Sequence, residues 1–224
     1  MSYFVTGTDT NVGKTLICCA LLHGFAAQGK RVAGMKPVAA GYIADEQNDD
    51  VRQLRAASNV LAGLGQVNPY SFEPAVAPHL AAQFAGVNIN LARILESFSE
   101  LTRQADVVVV EGAGGLLVPL NAVQDNSDLM RQMGLPLILV VGMRLGCLNH
   151  ALLTVEAIAA RDLMLAGWVA NVVDANMAML GENIAALQQR ISAPLLGVVP
   201  YQIQPDARVV AGCLDLGLLD KNKD

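Results

Sequence analysis

The sequence predicts an α/β fold: a single P-loop NTPase-like domain, residues 1–224, with a mostly parallel sheet covered by helices on both faces. Three observations predict it. Short apolar runs alternate with longer helical ones along nearly the whole chain, the pattern of repeated β-α units. Runs such as Val107–Val110 are continuously apolar, as strands buried on both faces must be. The first strand also runs straight into Gly7-Thr8-Asp9-Thr10-Asn11-Val12-Gly13-Lys14-Thr15 and then an apolar helix, the order a phosphate-binding loop requires.

Element by element, Tyr3–Thr6 reads as the first strand and Lys14–Gln28 as a helix, closed by Gly29 as its C-cap. Arg31–Met35 is a second strand, ending at Lys36-Pro37. A helix is expected from Asp50 to about Ala62, with Asp50 and Gln53 spaced for a capping box. Residues 65–86 carry prolines and weak alternation, and are expected to be irregular. Asn90 caps a helix running to about Gln104, and Asp106–Glu111 is the next strand. Leu137–Val141, Ala166–Val173 and Leu195–Val199 are further strands, separated by helices over Asn149–Ala160 and Met177–Ile191. No linker or repeat interrupts the order, so one domain is the economical reading.

Composition narrows the function classes. The chain has 224 residues, 53% of them hydrophobic and 16% charged, which excludes global disorder. A net charge of -5 argues against a nucleic-acid partner. The longest apolar run, Leu135–Met143, is too short to span a bilayer, so no membrane association is expected. No basic segment or cleavage site precedes the first strand, so no signal peptide is expected. Cys18, Cys19, Cys147 and Cys213 show no metal-ligand spacing, and the adjacent Cys18 and Cys19 read as small buried thiols. A reducing cytoplasm fits these features.

The chemistry gathers at the strand ends, where such sheets bind ligands. In the first loop, Lys14 is placed to reach the β- and γ-phosphates of a nucleotide, and the Thr15 hydroxyl to ligate magnesium. Main-chain N–H groups of the loop and helix start would cradle the phosphates. The spacing is unusual: five residues separate Gly7 from Gly13, and Thr8 stands at the usual glycine position. After the second strand, Lys36 is either a second positive charge in the phosphate crevice or a solvated surface lysine; Pro37 fixes its exit. Glu111-Gly112-Ala113-Gly114-Gly115 offers a carboxylate where a P-loop fold holds magnesium, the alternative being a tight glycine turn. Arg144–His150 runs into a helix whose N–H groups could hold a carboxylate. Asp50 is open between magnesium ligand and helix cap. His23, His79 and His150 share no ligand spacing.

Taken together, GTDTNVGKT (Gly7–Thr15), GMKPVAAG (Gly34–Gly41), VEGAGG (Val110–Gly115), VVGMRLGCLNHALLT (Val140–Thr154), GWVAN (Gly167–Asn171) and APLLGVVPY (Ala193–Tyr201) resemble the dethiobiotin synthetase family. The extra loop residue and the glutamate in place of aspartate are usual there. The resemblance implies a homodimeric ligase that joins carbon dioxide to 7,8-diaminopelargonate using ATP and Mg2+. By position it implies that Lys14 and Lys36 are catalytic and that Thr15, Asp50 and Glu111 ligate magnesium, with Asp49 as fallback for Asp50. Nucleotide contacts would come from Asn11, Val12, Gly13, Lys14, Thr15, Leu16, Gly112, Ala113 and Gly114, with Asn171, Val172, Pro200, Tyr201, Gln202 and Asp206 around the base. The substrate would lie on Lys36, Ala40 and Gly41, its carboxylate on the amides of Leu145, Gly146, Cys147 and Asn149.

The chain departs from that pattern in three places. Asn11 stands where some members carry a glutamate, Ala40 replaces a serine, and no tyrosine occurs on the Met177–Ile191 helix, where some members reach their partner's substrate. The competing reading is a nucleotide-switch ATPase of the partitioning or septum-positioning kind. Such proteins carry an additional lysine at the start of the loop, and Gly7–Asn11 contains none. Membrane-bound members end in a basic amphipathic helix, whereas Leu214–Asp224 has two lysines against three aspartates.

Overall fold

A computed structural model describes residues 1–42 and 48–219; the end of the acidic tail, 220–224, lies outside the described residues. The chain runs β1 (Ser2–Gly7), α1 (Lys14–Ala27), β2 (Val32–Met35), β3 (Val38–Ala40), α2 (Asp49–Ala57), α3 (Leu64–Val67), β4 (Tyr70–Phe72), α4 (Pro78–Phe84) and α5 (Leu91–Gln104). It continues β5 (Val107–Glu111), α6 (Asn126–Met133), β6 (Leu137–Met143), α7 (Cys147–Ala159), β7 (Leu165–Val172), α8 (Leu180–Gln188), β8 (Leu195–Val199), α9 (Ala207–Ala211) and a 3-10 turn at Leu216–Leu219.

Six strands form a parallel sheet in the order β2-β5-β1-β6-β7-β8. β1 is central, and the chain visits β2 and β5 on one side before β6, β7 and β8 on the other. The order reverses beside β1, so the crevice at its carboxyl end is where such a fold places a ligand. Alternate side chains enter different cores, as a period of two demands. Val107 and Val109 pack with Ile17, Leu21 and Phe25 of α1, while Val108 and Val110 pack with Ile94 and Leu101 of α5. Leu139, Val141 and Trp168 form a third cluster with α7 and α8.

The helix termini have local causes. Asn90 caps α5 by accepting from Ala92 N–H at 2.9 Å, as its sequence predicts. Asp125 and Asp128 form a capping box on α6, a helix the sequence reading did not identify, and Gly134 ends it at φ 61°. Four expectations are corrected. Asp50 is not a cap: Asn48 caps α2, accepting from Asp50 N–H at 3.0 Å. That helix ends at Ala57 because Ser58 and Asn59 are taken by the edge of β2, where Ser58 Oγ accepts from Gly34 N–H and Asn59 Oδ1 from Val32 N–H. This covers an edge that would otherwise be exposed. Residues 65–86 are not irregular but hold most of α3, all of β4 and α4, with β4 pairing β3 in a second, two-stranded sheet. α8 is shorter than Met177–Ile191 at both ends, starting after Met179 at φ 53°.

Candidate active site

The carboxyl ends of β1, β2 and β5 bring together one partly buried cluster. Thr15 opens α1 next to Lys14; Lys36 follows β2; Glu111 ends β5; Asp50 comes from the first turn of α2. Thr15 Oγ1 lies 2.8 Å from Asp50 Oδ1 and 3.0 Å from Glu111 Oε1. Lys36 Nζ donates to Asp50 Oδ2 at 2.8 Å and to Glu111 Oε1 at 2.5 Å. Lys36 is therefore no surface lysine: it is 5% exposed, and Glu111 only 1%. With Thr10, Asn11, Gly13, Lys14 and Gly114 these side chains line a cleft of about 320 Å³.

The electrostatics follow from burial. Burial pulls the Lys36 ammonium down, but the Glu111 and Asp50 carboxylates outweigh it and hold Lys36 above the ordinary lysine range. Burial pushes the Glu111 carboxyl up, only partly offset by Lys36. Asp50 is also raised by burial, yet its bonds to Lys36 and Thr15 leave it below the usual carboxylate value. Lys14 is lowered by burial and then by Lys36. The two lysines share one crevice with two carboxylates, which keeps the cluster near neutrality.

A hydroxyl and two carboxylates are the hard oxygen donors magnesium prefers. Among the described residues, Glu111 Oε2 is buried with no hydrogen-bond partner, an uncommon cost unless a ligand satisfies it. The donor set thus fits the metal expected at Thr15, Asp50 and Glu111.

The loop around this cluster is shaped by backbone constraints. Gly13 adopts φ 90°, and a Cβ there would fall 2.2 Å from Asn171 Nδ2, so only glycine fits. Asn11 holds φ 59°, a region asparagine tolerates better than most residues, and is exposed; Leu16 is half-buried at the start of α1. Lys14 Nζ donates to the Asp9 carbonyl at 2.9 Å. Gly112 N–H donates to Val5 O, and Asn126 Nδ2 holds the glycine turn through the carbonyls of Ala113, at 2.7 Å, and Gly115, at 2.9 Å.

The other expected residues fall at four places. Asn171, 5% exposed near the end of β7 beside Val172, donates to the Val12 carbonyl at 2.8 Å and so braces the loop. Pro200, Tyr201 and Gln202 follow β8, and Asp206 caps α9, accepting from Arg208 N–H at 2.8 Å. Ala40 ends β3 and Gly41 follows it, their carbonyls taken by Asn48 Nδ2 at 3.2 and 3.1 Å. Leu145 and Gly146 precede α7, whose first residue Cys147 donates its N–H to Arg144 O; the helix begins two residues before the expected Asn149, which sits in its first turn. The sequence reading missed Thr10 in the cleft lining, and also Asn68. Asn68 Nδ2 donates to the Lys36 carbonyl at 2.7 Å, while Lys36 N–H donates to Val67 O at 2.8 Å. The Asn68-Pro69 pair signals a turn, but nothing local signals its target.

Residues 1–208 match a family model described as an AAA domain. Over 96% of this chain and 94% of its own length, the ATP-dependent dethiobiotin synthetase of Nitrosospira multiformis is 54% identical. The enzyme of the same name from Aromatoleum aromaticum is 56% identical over 96% of this chain and 97% of its own. The chain belongs to the ATP-dependent dethiobiotin synthetase family. Among solved structures, a chain of the MinC:MinD cell division protein complex of Aquifex aeolicus aligns with TM-score 0.55 at 15% identity, covering 90% of this chain and 82% of that one. MinD of Pyrococcus horikoshii with Mg-ADP gives 0.54 at 15%, with the same coverage. These likenesses establish the P-loop NTPase fold that dethiobiotin synthetases share with septum-site proteins, and the fold alone.

Proposed function

We propose that this chain converts 7,8-diaminopelargonate, carbon dioxide and ATP into dethiobiotin, ADP and phosphate. The observation that carries this reading is the arrival of Lys36 in the same cleft as Lys14, beside Glu111 and Asp50, in a chain of this family. A plain nucleotide hydrolase has no need of a second buried lysine there; a carbamate and a γ-phosphate brought side by side do.

In the reaction, one amine of the substrate adds to carbon dioxide, giving a carbamate and releasing a proton. A carbamate oxygen then takes the γ-phosphoryl group as its bond to ADP breaks. The second amine attacks the carbamoyl carbon and gives up a proton, the carbon–oxygen bond to phosphate breaks, and the cyclic urea closes with release of phosphate. Lys14 would hold the transferring phosphoryl oxygens and Lys36 the carbamate. Magnesium, held by Thr15, Asp50 and Glu111, would offset charge on the nucleotide phosphates. Asn171 and the segment Pro200–Gln202 with Asp206 would border the base, and the N–H groups of Leu145–Asn149 would receive the substrate carboxylate at the start of α7.

The same reading makes the protein a cytoplasmic homodimer of single-domain subunits. Among the described residues no helix is long and apolar enough to cross a membrane, and Cys18, Cys19, Cys147 and Cys213 are free thiols. Leu145 and Leu153, 96% and 61% exposed, give the substrate side an apolar surface a second copy would cover. Incubation with diaminopelargonate, bicarbonate, ATP and magnesium should yield dethiobiotin by mass spectrometry. ATP hydrolysis without that product overturns the reading.

A further inference from the structure

The nucleotide loop and the segment before α7 meet at a charged contact that the reaction scheme does not use. Arg144 lies just past the end of β6, immediately before Leu145–Asn149. Its Nη2 donates to Asp9 Oδ2 at 2.5 Å. The second Asp9 carboxylate oxygen accepts from Thr10 N–H at 2.7 Å, and the Asp9 carbonyl accepts from Lys14 Nζ at 2.9 Å. One residue therefore meets the phosphate-binding lysine through its main chain and the substrate-side segment through its side chain.

Neutral contacts hold the same seam at its base. Thr8 N–H donates to Val140 O at 3.0 Å, and Gly142 lies so close beneath Val12 that a Cβ there would come within 2.7 Å of the Val12 side chain. These contacts fix the nucleotide loop against β6, the strand from which Arg144 emerges. The Asp9–Arg144 pair is the outer rim of the seam, with side chains 45% and 41% exposed.

We propose that Asp9 and Arg144 are positioning residues that couple nucleotide binding to diamine binding. The inference rests on the ligase reading above. Phosphates would compete with the Asp9 carbonyl for the Lys14 ammonium, so a bound nucleotide changes what holds Asp9. That change reaches Leu145–Asn149 through Arg144, whose charge sits one residue before the amides expected to receive the substrate carboxylate. Coupling of this kind is reciprocal: each ligand raises the other's affinity by the same factor. A half-exposed pair is worth little in water, so its share of the coupling is roughly two- to fivefold.

The test is calorimetric titration of diaminopelargonate into the full chain, with and without saturating magnesium and a non-hydrolysable ATP analogue. Wild type should bind the diamine more tightly with the analogue present. Arg144→Gln and Asp9→Asn should each lower that enhancement by roughly two- to fivefold, the double variant no further than the worse single one, and Arg144→Lys should retain most of it. A merely structural role would weaken each ligand alone and leave the enhancement unchanged. The inference is overturned by an enhancement equal in all variants, by losses that multiply in the double variant, or by no enhancement in wild type. Failure of the ligase reading looks different: wild type would not bind the diamine under either condition, and this inference would fall with it.

Discussion

Replacing Lys36 by methionine isolates what its buried charge does. The side chain keeps most of its length and loses only the terminal ammonium, so Glu111 Oε1 loses its 2.5 Å bond and Asp50 Oδ2 its 2.8 Å bond. Asp50 is about one-third exposed and can turn to water, whereas the Glu111 side chain is 1% exposed and cannot. The cost therefore falls on Glu111: an uncompensated buried charge, worth about 3–5 kcal/mol. For a chain of this size that is a fall in melting temperature of roughly 6–20 °C. The sign of its pH dependence is fixed too. Burial already raises the Glu111 pKa above its unfolded value, and loss of Lys36 raises it further. The folded state then binds the proton more tightly than the unfolded one, so the deficit grows as pH rises through the folded pKa and shrinks in mild acid. Adding Glu111→Gln to the variant removes the stranded charge and should restore most of the lost stability. Thermal melts of wild type, both single variants and the double, between pH 5 and 8, read this directly. A double variant as unstable as Lys36→Met, or a deficit independent of pH, refutes the argument.

The remaining predictions use other parts of the site. Lys36→Met should still bind ADP while dethiobiotin formation falls by roughly 10²–10³-fold; near-normal turnover removes Lys36 from the mechanism. Gly13→Ala combines a strained φ of 90° with a Cβ 2.2 Å from Asn171 Nδ2, and should abolish measurable nucleotide binding in an ADP titration. Asn171→Ala strands the buried Val12 carbonyl and should lower stability by about 1–3 kcal/mol, with weaker ADP binding; a melt equal to wild type would show that water replaces the amide. Among the thiols, burial pushes Cys19 up to about 12 and Cys18 well above its usual value, while Cys213 is half-exposed. A thiol reagent on native protein should label Cys213 first by peptide mass spectrometry, and equal labelling of Cys19 would contradict its burial.

What was legible in the sequence is what local pattern determines. The valine run Val107–Val110 announced a strand buried on both faces, and Asn90 announced the start of α5, because periodicity and caps act over a few residues. The misread elements are those whose cause lies elsewhere in the chain. α2 stops at Ala57 because Ser58 and Asn59 are drawn to the backbone of β2. β3 and β4 are three residues each, too short for alternation to register, and they hold by pairing with each other and by packing Val38, Tyr70 and Phe72 into the core.

The same distinction explains how the site itself could be read. Lys36 and Asp50 each had two possible roles because a lysine after a strand and an aspartate near a helix start are common for reasons unrelated to function. What resolves them is long-range. Asn48 takes the capping position, which frees the Asp50 carboxylate to face Thr15 and Lys36. Val67 and Asn68 clamp the Lys36 backbone through its N–H and its carbonyl, so the side chain leaves β2 already aimed at Glu111. The segment expected to be irregular is thus the one that orients the second lysine. A substitution at Asn68 should therefore act on turnover through Lys36, and Asn68→Ala should lower dethiobiotin formation more than ADP affinity, a split that steady-state kinetics and nucleotide titration measure separately. Equal losses in both would mean that Asn68 supports the fold generally and not the aim of Lys36.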